Sequence, residues 1–289
     1  MENSVIKNIG VIGLGRLGTA LAFSLTRFGY NVRGVTKEPH PETRPVGELL
    51  IPVRSLGEAV PESDVIFITT PDGIIPQIAA QLAEYDLSRK AVFHLSGSHS
   101  SGILSGLKEK GAAIGSLHPL QSFASVEQAL KNLPGSFFTY EGDESLIEWV
   151  SKLVEEFGGI LKILPSSESK VIYHAGAVIV SNYLVGLAGM GVKCLQKSGF
   201  SAEEAQEALL PLMRGTLNNI SRLPLGKALT GPVSRGDVAV VASHLEALAA
   251  ELPEIKSPYS ALVPVLADIA LNAGKLSPEK YQELNGLLD

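Results

Sequence analysis

The sequence predicts an α/β N-terminal domain with a doubly wound, mostly parallel sheet. An all-α C-terminal domain with a long central helix follows. Three observations lead there. The glycine turn Gly13-Leu14-Gly15-Arg16-Leu17-Gly18 follows an apolar run and opens a helical pattern. Short runs rich in Val and Ile then alternate with helix signals, and such alternation implies a parallel sheet covered on both faces. Beyond Pro165 no convincing strand is left, which puts the expected domains at 1–165 and 166–289.

Taken in order, the strand candidates are 9–12, 32–36, 51–54, 65–70, 91–95, 113–117, 137–140 and 160–164. Between them, Ser55 with Glu58 reads as a capping box, and Pro76 suits a helix first turn. Ser166 and Ser167 can cap a helix running to about residue 198, which Gly199 ends. Ser201 with Glu204 opens another helix, with a kink expected at Pro211. Asp237 can cap a helix through Leu248, and Ser277-Pro278 opens the last one.

Composition excludes several classes. A net charge of −6 with no basic block gives no footprint for nucleic acid. The single cysteine, Cys194, rules out a disulfide framework, and the six scattered histidines form no metal-ligand spacing. These facts suit a cytoplasmic protein, and the first residues run into a strand with no signal-peptide pattern. No charged residue lies between Lys170 and Lys193, a span of about membrane thickness. Its His, Ser, Asn and Tyr residues favour a buried helix facing a cofactor over a membrane span. Its glycines hint at close helix packing, within one chain or across a dimer.

The glycine turn has the form G-x-G-x-x-G between a strand and a helix, the pattern of a dinucleotide site. Gly13 permits the turn, Gly15 leaves bare backbone for a pyrophosphate, and Gly18 allows helix and strand to pack closely. Leu14, Arg16 and Leu17 complete the loop. At the end of the second strand an NAD site places an acid against the ribose 2′-hydroxyl. Here Gly34-Val35 is followed by Thr36-Lys37, with Arg44 a little further on. A hydroxyl and a cation in place of the acid favour NADP (NADPH) over NAD.

Ligands of doubly wound sheets sit outside the carboxyl ends of the strands. Thr69-Thr70-Pro71-Asp72 ends one strand and is placed beside the nicotinamide-side ribose and phosphate. Ser96 lies in a small polar turn at the end of the next. His118-Pro119 puts an imidazole at a third strand end, either lining a substrate site or bonded to a loop carbonyl. On the long helix, residues 174, 178, 181 and 182 share one face if it is continuous. His174 and Asn182 on that apolar stripe are either a satisfied buried pair or a proton donor with an oxygen-orienting amide. Arg235, in the turn-rich segment 229–237, suits a carboxylate substrate or a surface ion pair. Asp237 is a site residue or a helix cap, and His244 is read as supporting.

The segments SLHPLQSF (116–123), YHAGAVIVSNYL (173–184) and GPVSRGD (231–237), with the start from Gly10 to Gly29, resemble a family that joins a Rossmann-like domain to a DUF2520 helical domain. That family lies within the 6-phosphogluconate/β-hydroxyacid dehydrogenase-like superfamily and is similar to ketopantoate reductase. The resemblance implies an oxidoreductase, frequently a homodimer, with its active site in the cleft between domains. Relatives use a lysine on the long helix as acid/base. His174 and Asn182 stand in comparable places here, and Lys170, one turn earlier, is the alternative acid/base. The expected activity is NADP-dependent hydride transfer to a small 2-oxo acid, 2-dehydropantoate first. The alternatives are an imine reductase, a prephenate-type dehydrogenase, an F420-dependent NADP reductase, or a non-catalytic NADP(H) sensor.

Overall fold

The computed structural model describes residues 6–37 and 41–288. The chain forms two compact units that divide between Ser181 and Asn182. In the first unit the strands are β1 (Asn8–Ile12), β2 (Asn31–Val35), β3 (Thr43–Val46), β4 (Leu49–Pro52), β5 (Val65–Ile68), β6 (Ala91–His94), β7 (Ala113–Pro119), β8 (Phe137–Gly142) and β9 (Ile160–Ile163). Its helices are α1 (Arg16–Arg27), α2 (Leu56–Glu62), α3 (Ile75–Leu82), α4 (Ser105–Lys108), α5 (Val126–Asn132), α6 (Ile147–Glu156) and α7 (Ser167–Val180).

Seven strands form one sheet in the order β2-β1-β5-β6-β7-β8-β9. All neighbours are parallel except β7 and β8. The strands obey the period of two that a sheet with two covered faces requires. Ile9, Val11, Val65, Phe67, Ala91 and Phe93 join a core with α1, α5 and α6. Ile12, Ile66, Ile68 and Val92 join a second core, on the other face, with α2, α3 and α4. Chain order reverses between β1 and β5, so the ligand crevice of such a sheet opens at the carboxyl ends of those two strands.

Two expectations change here. The strand expected at 51–54 lies at Leu49–Pro52 and pairs with β3 as a separate antiparallel hairpin, joined to the large sheet by a Gly34–Val53 bridge and packed in its core through Val46, Ile51 and Val53. β3 itself escapes the sequence reading because Thr43, Arg44 and Pro45 are all exposed and give no apolar alternation. The Ser166 hydroxyl caps α7 as expected, accepting from the Ser169 amide at 3.3 Å. That helix is distorted at Ser181 (φ −108°, ψ −69°), and a new helical segment starts at Asn182.

The second unit contains α8 (Asn182–Lys197), α9 (Ala202–Arg222), α10 (Leu225–Ala228), α11 (Pro232–Arg235), α12 (Val238–Glu251), α13 (Pro253–Asn272) and α14 (Pro278–Asn285). The Ser201–Glu204 capping box forms, and Ser277 caps α14. Gly199 (φ +102°) ends the preceding helix. Helix α9 continues through Pro211, the position of the expected kink. Val233, Val241, Leu245, Val263, Ala267, Ala270, Leu276 and Leu284 form the core. The pair α8–α9 contributes only Ala205 to the buried residues.

Burial of the apolar stretch is a further correction. In α7 only Lys170 is buried, and in α8 nothing is. Ile172 is 77% exposed, Val180 71% and Val185 73%. The apolar side chains point away from their own chain, while the one lysine points inward.

Candidate functional site

Each glycine of the first turn meets its requirement separately. Gly13 has φ +102°, which only glycine adopts without strain. A Cβ on Gly18 would collide with the Gly13 carbonyl oxygen and the Thr69 hydroxyl. A Cβ on Gly15 would meet nothing within 4 Å, so the space beside its backbone is open. Gly15 is also the N-cap of α1, and no side chain caps that helix or places an acid in its first turn. The first-turn amides and the positive end of the helix dipole are therefore free to meet an anion. Arg16 is exposed at the same end, Leu17 is half-buried, and Leu14 packs inward against Gly34.

The end of β5 divides its two threonines between structure and site. Thr69 Oγ1 donates to the Gly13 carbonyl at 2.6 Å and so ties the turn down. Thr70 Oγ1 is buried beside Gly13 with no hydrogen-bond partner. An orphaned hydroxyl costs roughly 1–3 kcal/mol unless a ligand or water satisfies it. The open Gly15 backbone and the orphaned Thr70 hydroxyl together fit a dinucleotide at this crevice. Thr36 is half-buried and Lys37 exposed at the end of β2; residues 38–40 beyond them lie outside the described part.

Asp72 follows Pro71 in a short turn, where its carboxylate accepts from the Ser98 hydroxyl at 2.7 Å. Partial burial acts to raise its pKa, but hydrogen bonds from Ser98 and Ser96 outweigh this and hold it below the ordinary carboxylate range. Ser96 is buried, and its Oγ accepts from the Ser98 and His99 amides at 3.2 and 3.1 Å. Ser96 shapes the loop.

Helix α7 lays Lys170, Tyr173 and His174 (i, i+3, i+4) across β6 and β7. Lys170 is fully buried, with its ammonium on the Ser116 hydroxyl. The Tyr173 hydroxyl lies 2.8 Å from His118 Nδ1. His174 sits edge-on to His118, ring centroids 6.0 Å apart. Its Nδ1 is buried without a partner, next to Gly97. Any side chain at Gly97 would strike both rings, since a Cβ there would be 2.8 Å from His174 Cε1 and 2.9 Å from His118 Nε2.

Burial, together with the positive field of Lys170 and His174, lowers the His118 pKa to about 3. His94 is lowered to about 4, chiefly by burial. Its tautomer follows from its bonds: Nδ1 accepts from the Ser96 amide at 3.2 Å, so Nε2 carries the proton donated to the Ser100 carbonyl at 3.0 Å. Both rings are neutral near pH 7. Lys170 is lowered by burial to about 8, against the pull of Glu141 and Asp72.

The structure thus brings His118, His174, Thr70, Asp72 and Ser96 to one edge of the first unit. The predicted Asn182 and Arg235 belong to the second unit. Asn182 is exposed, and the distortion at Ser181 breaks the single helix face expected to carry it with His174. Arg235 is committed to Asp237, through Nε at 2.9 Å and Nη2 at 2.8 Å. Asp237 stands at the N-cap of α12 but makes no side-chain cap bond, because Arg235 takes its carboxylate. His244 pairs with the Tyr259 hydroxyl at 2.9 Å. Tyr173 carries no role in the sequence reading, and Lys170, the alternative acid/base there, lies buried on Ser116 beneath the His118–Tyr173 pair. Their i, i+3, i+4 spacing with His174 was the available signal.

A glycine cradle on a doubly wound sheet, followed by a helical unit, defines a Rossmann-type two-part protein. More particularly, residues 2–119 match the Rossmann-like domain and residues 136–264 match the domain of unknown function DUF2520. The chain carries these two domains in that order. It is similar to protein TM1727 from Thermotoga maritima, with 27% identity and TM-score 0.69 over 91% of this chain and 98% of that one. The candidate NADP oxidoreductase BF3122 from Bacteroides fragilis shares 20% identity, TM-score 0.66, over 91% and 98%. Pyrroline carboxylate reductase from Plasmodium falciparum, solved with NADP bound, shares 17%, TM-score 0.57, over 93% and 98%. No curated protein matches the sequence.

Proposed function

We propose that this protein is an NADP-dependent oxidoreductase that reduces the carbonyl of a small 2-oxo acid, with 2-dehydropantoate the first candidate. The observation that carries the reading is the open Gly15 cradle beside the orphaned Thr70 hydroxyl, at the same sheet edge as His118 and His174. Bound NADPH would supply the hydride. Gly13, Gly15 and the first turn of α1 would hold its pyrophosphate, and Thr36 with Lys37 its 2′-phosphate. Thr70 and Pro71 would border the nicotinamide side. His174 is the proposed proton donor to the developing alkoxide, through Nε2, because Nδ1 is enclosed. Arg235 would have to exchange Asp237 for a substrate carboxylate, and that commitment favours a C=N substrate as the second reading.

The bound NADP of the Plasmodium reductase and the fold it shares with this chain support the cofactor assignment. The test is NADPH consumption with 2-dehydropantoate, other small 2-oxo acids and cyclic imines, with NADH in parallel. Turnover with a 2-oxo acid sustains the reading, turnover with imines alone moves it to C=N reduction, and no NADPH binding at all ends it.

The exposed apolar side chains of α7 and those of α8 belong, on this reading, against a second copy in a cytoplasmic homodimer. Leaving residues such as Ile172, Val180 and Val185 in water forgoes roughly 1.5–3 kcal/mol each. Light scattering should give twice the chain mass, and Val180→Glu should reduce it to a single chain. A wild-type monomer would refute the assembly.

A further inference from the structure

The only charged side chain buried completely among the described residues is Lys170. Its position follows from the sheet register. His94 pairs with Ser116 across β6 and β7, and Ser116 with Glu141 across β7 and β8. These three side chains form a row on one face of the sheet. Lys170 descends from α7 onto the middle of it, its ammonium on the Ser116 hydroxyl. Glu141, at one end, is tied down by the Ser101 amide and hydroxyl, both at 2.7 Å. Two residues along β7, on the same face, stands His118 with Tyr173.

A lysine in this place is poorly suited to give a proton to a substrate, because no part of it reaches the surface. It is well suited to act through its field, since charges interact more strongly in a medium less polarisable than water. We propose that Lys170 is a positioning residue: its buried ammonium, seated on Ser116 in the same enclosed row, adds to the effect of burial in keeping the His118 imidazole uncharged and thereby fixes the His118–Tyr173 hydrogen bond. This deepens the reductase reading, because an uncharged imidazole at the sheet edge leaves His174 as the proton source and makes His118 a neutral hydrogen-bonding wall.

The groups acting on His118 are known from every side. Lys170, Tyr173 and His174 face it from α7, His94 from β6, and Asp72 from the turn after β5. Of these, Lys170, His174 and His94 oppose a charge on the ring and Asp72 favours one. Removing the lysine should therefore let His118 take up a proton more easily, whatever reaction the protein performs.

The experiment is an NMR titration of the intact protein labelled with ¹⁵N-histidine, with His118→Asn used to assign the ring. Wild-type His118 should stay neutral throughout the mildly acidic range. Lys170→Met should raise its midpoint by about one pH unit or more, and Lys170→Arg, which keeps the charge, should restore the wild-type value. An unchanged midpoint in Lys170→Met overturns the proposal. Wild-type protein labelled with ¹⁵N-lysine provides a readout that does not depend on the variant folding. One ammonium signal should exchange slowly with solvent near neutral pH, and its absence would equally overturn the assignment. Neither readout uses turnover, so failure here is distinguishable from failure of the reductase reading.

Discussion

Replacing Gly15 and Gly18 separately by alanine should separate cofactor binding from folding. Both belong to one turn, but their surroundings are opposite. Gly15 has φ −73° and ψ −160°, which any L-residue adopts, and a Cβ there meets nothing within 4 Å. Gly15→Ala should thus alter stability by no more than about 0.5–1 kcal/mol, the range for a surface or capping change. Its methyl would fill the space proposed for the pyrophosphate, so NADPH should bind at least about tenfold more weakly, roughly 1.4 kcal/mol. In Gly18→Ala the methyl strikes the Gly13 carbonyl oxygen and the Thr69 hydroxyl, the pair that closes the turn. Overpacking against a fixed backbone costs roughly 1–3 kcal/mol or more, and that variant should lose stability first. Urea melts and NADPH titration by fluorescence measure the two effects. If Gly15→Ala bound NADPH like the wild type, the cradle would not be the pyrophosphate site.

His174→Ala should lower kcat while leaving NADPH affinity within about twofold; an unchanged kcat would remove His174 from the mechanism. Lys37→Ala should weaken NADPH but not NADH, by roughly 1 kcal/mol for one exposed phosphate contact, and equal losses for both would deny that Lys37 reads the 2′-phosphate. Stability should fall in acid through His94. With a folded pKa of about 4 against 6.5 unfolded, the unfolded chain binds the extra proton between those values. Its contribution is complete above pH 6.5, is reduced by roughly 2 kcal/mol at pH 5, and is fully lost below about 4. Urea melts across that range should show the slope, to which His118 adds in the same sense, and His94→Gln should reduce it by the share of one proton. Identical slopes in both proteins would refute the assignment.

Much of this molecule was legible because local sequence and tertiary requirement coincide. The strand–turn–helix of Ile9 to Gly29 needs no distant partner to be recognised, since each glycine answers to its own backbone neighbourhood. Alternation of short apolar runs specified the sheet because both its faces are buried. The capping serines at 55, 166, 201 and 277 marked helix starts through bonds made within three residues. These are short-range effects, and a sequence states them directly.

Tertiary structure decided what depends on approach between distant segments. Arg235 and Asp237, two residues apart, read as separate candidates until the turn between them closed their ion pair. Lys170 read as the last charge before an apolar helix and as the alternative acid/base; only the register of β6, β7 and β8 puts Ser116 and Glu141 beneath it. The apolar residues of α7 and α8 have a composition that fits a buried helix or an exposed one equally well. Hydrophobicity states that such a surface must be covered, and only the packing shows that the chain does not cover it itself.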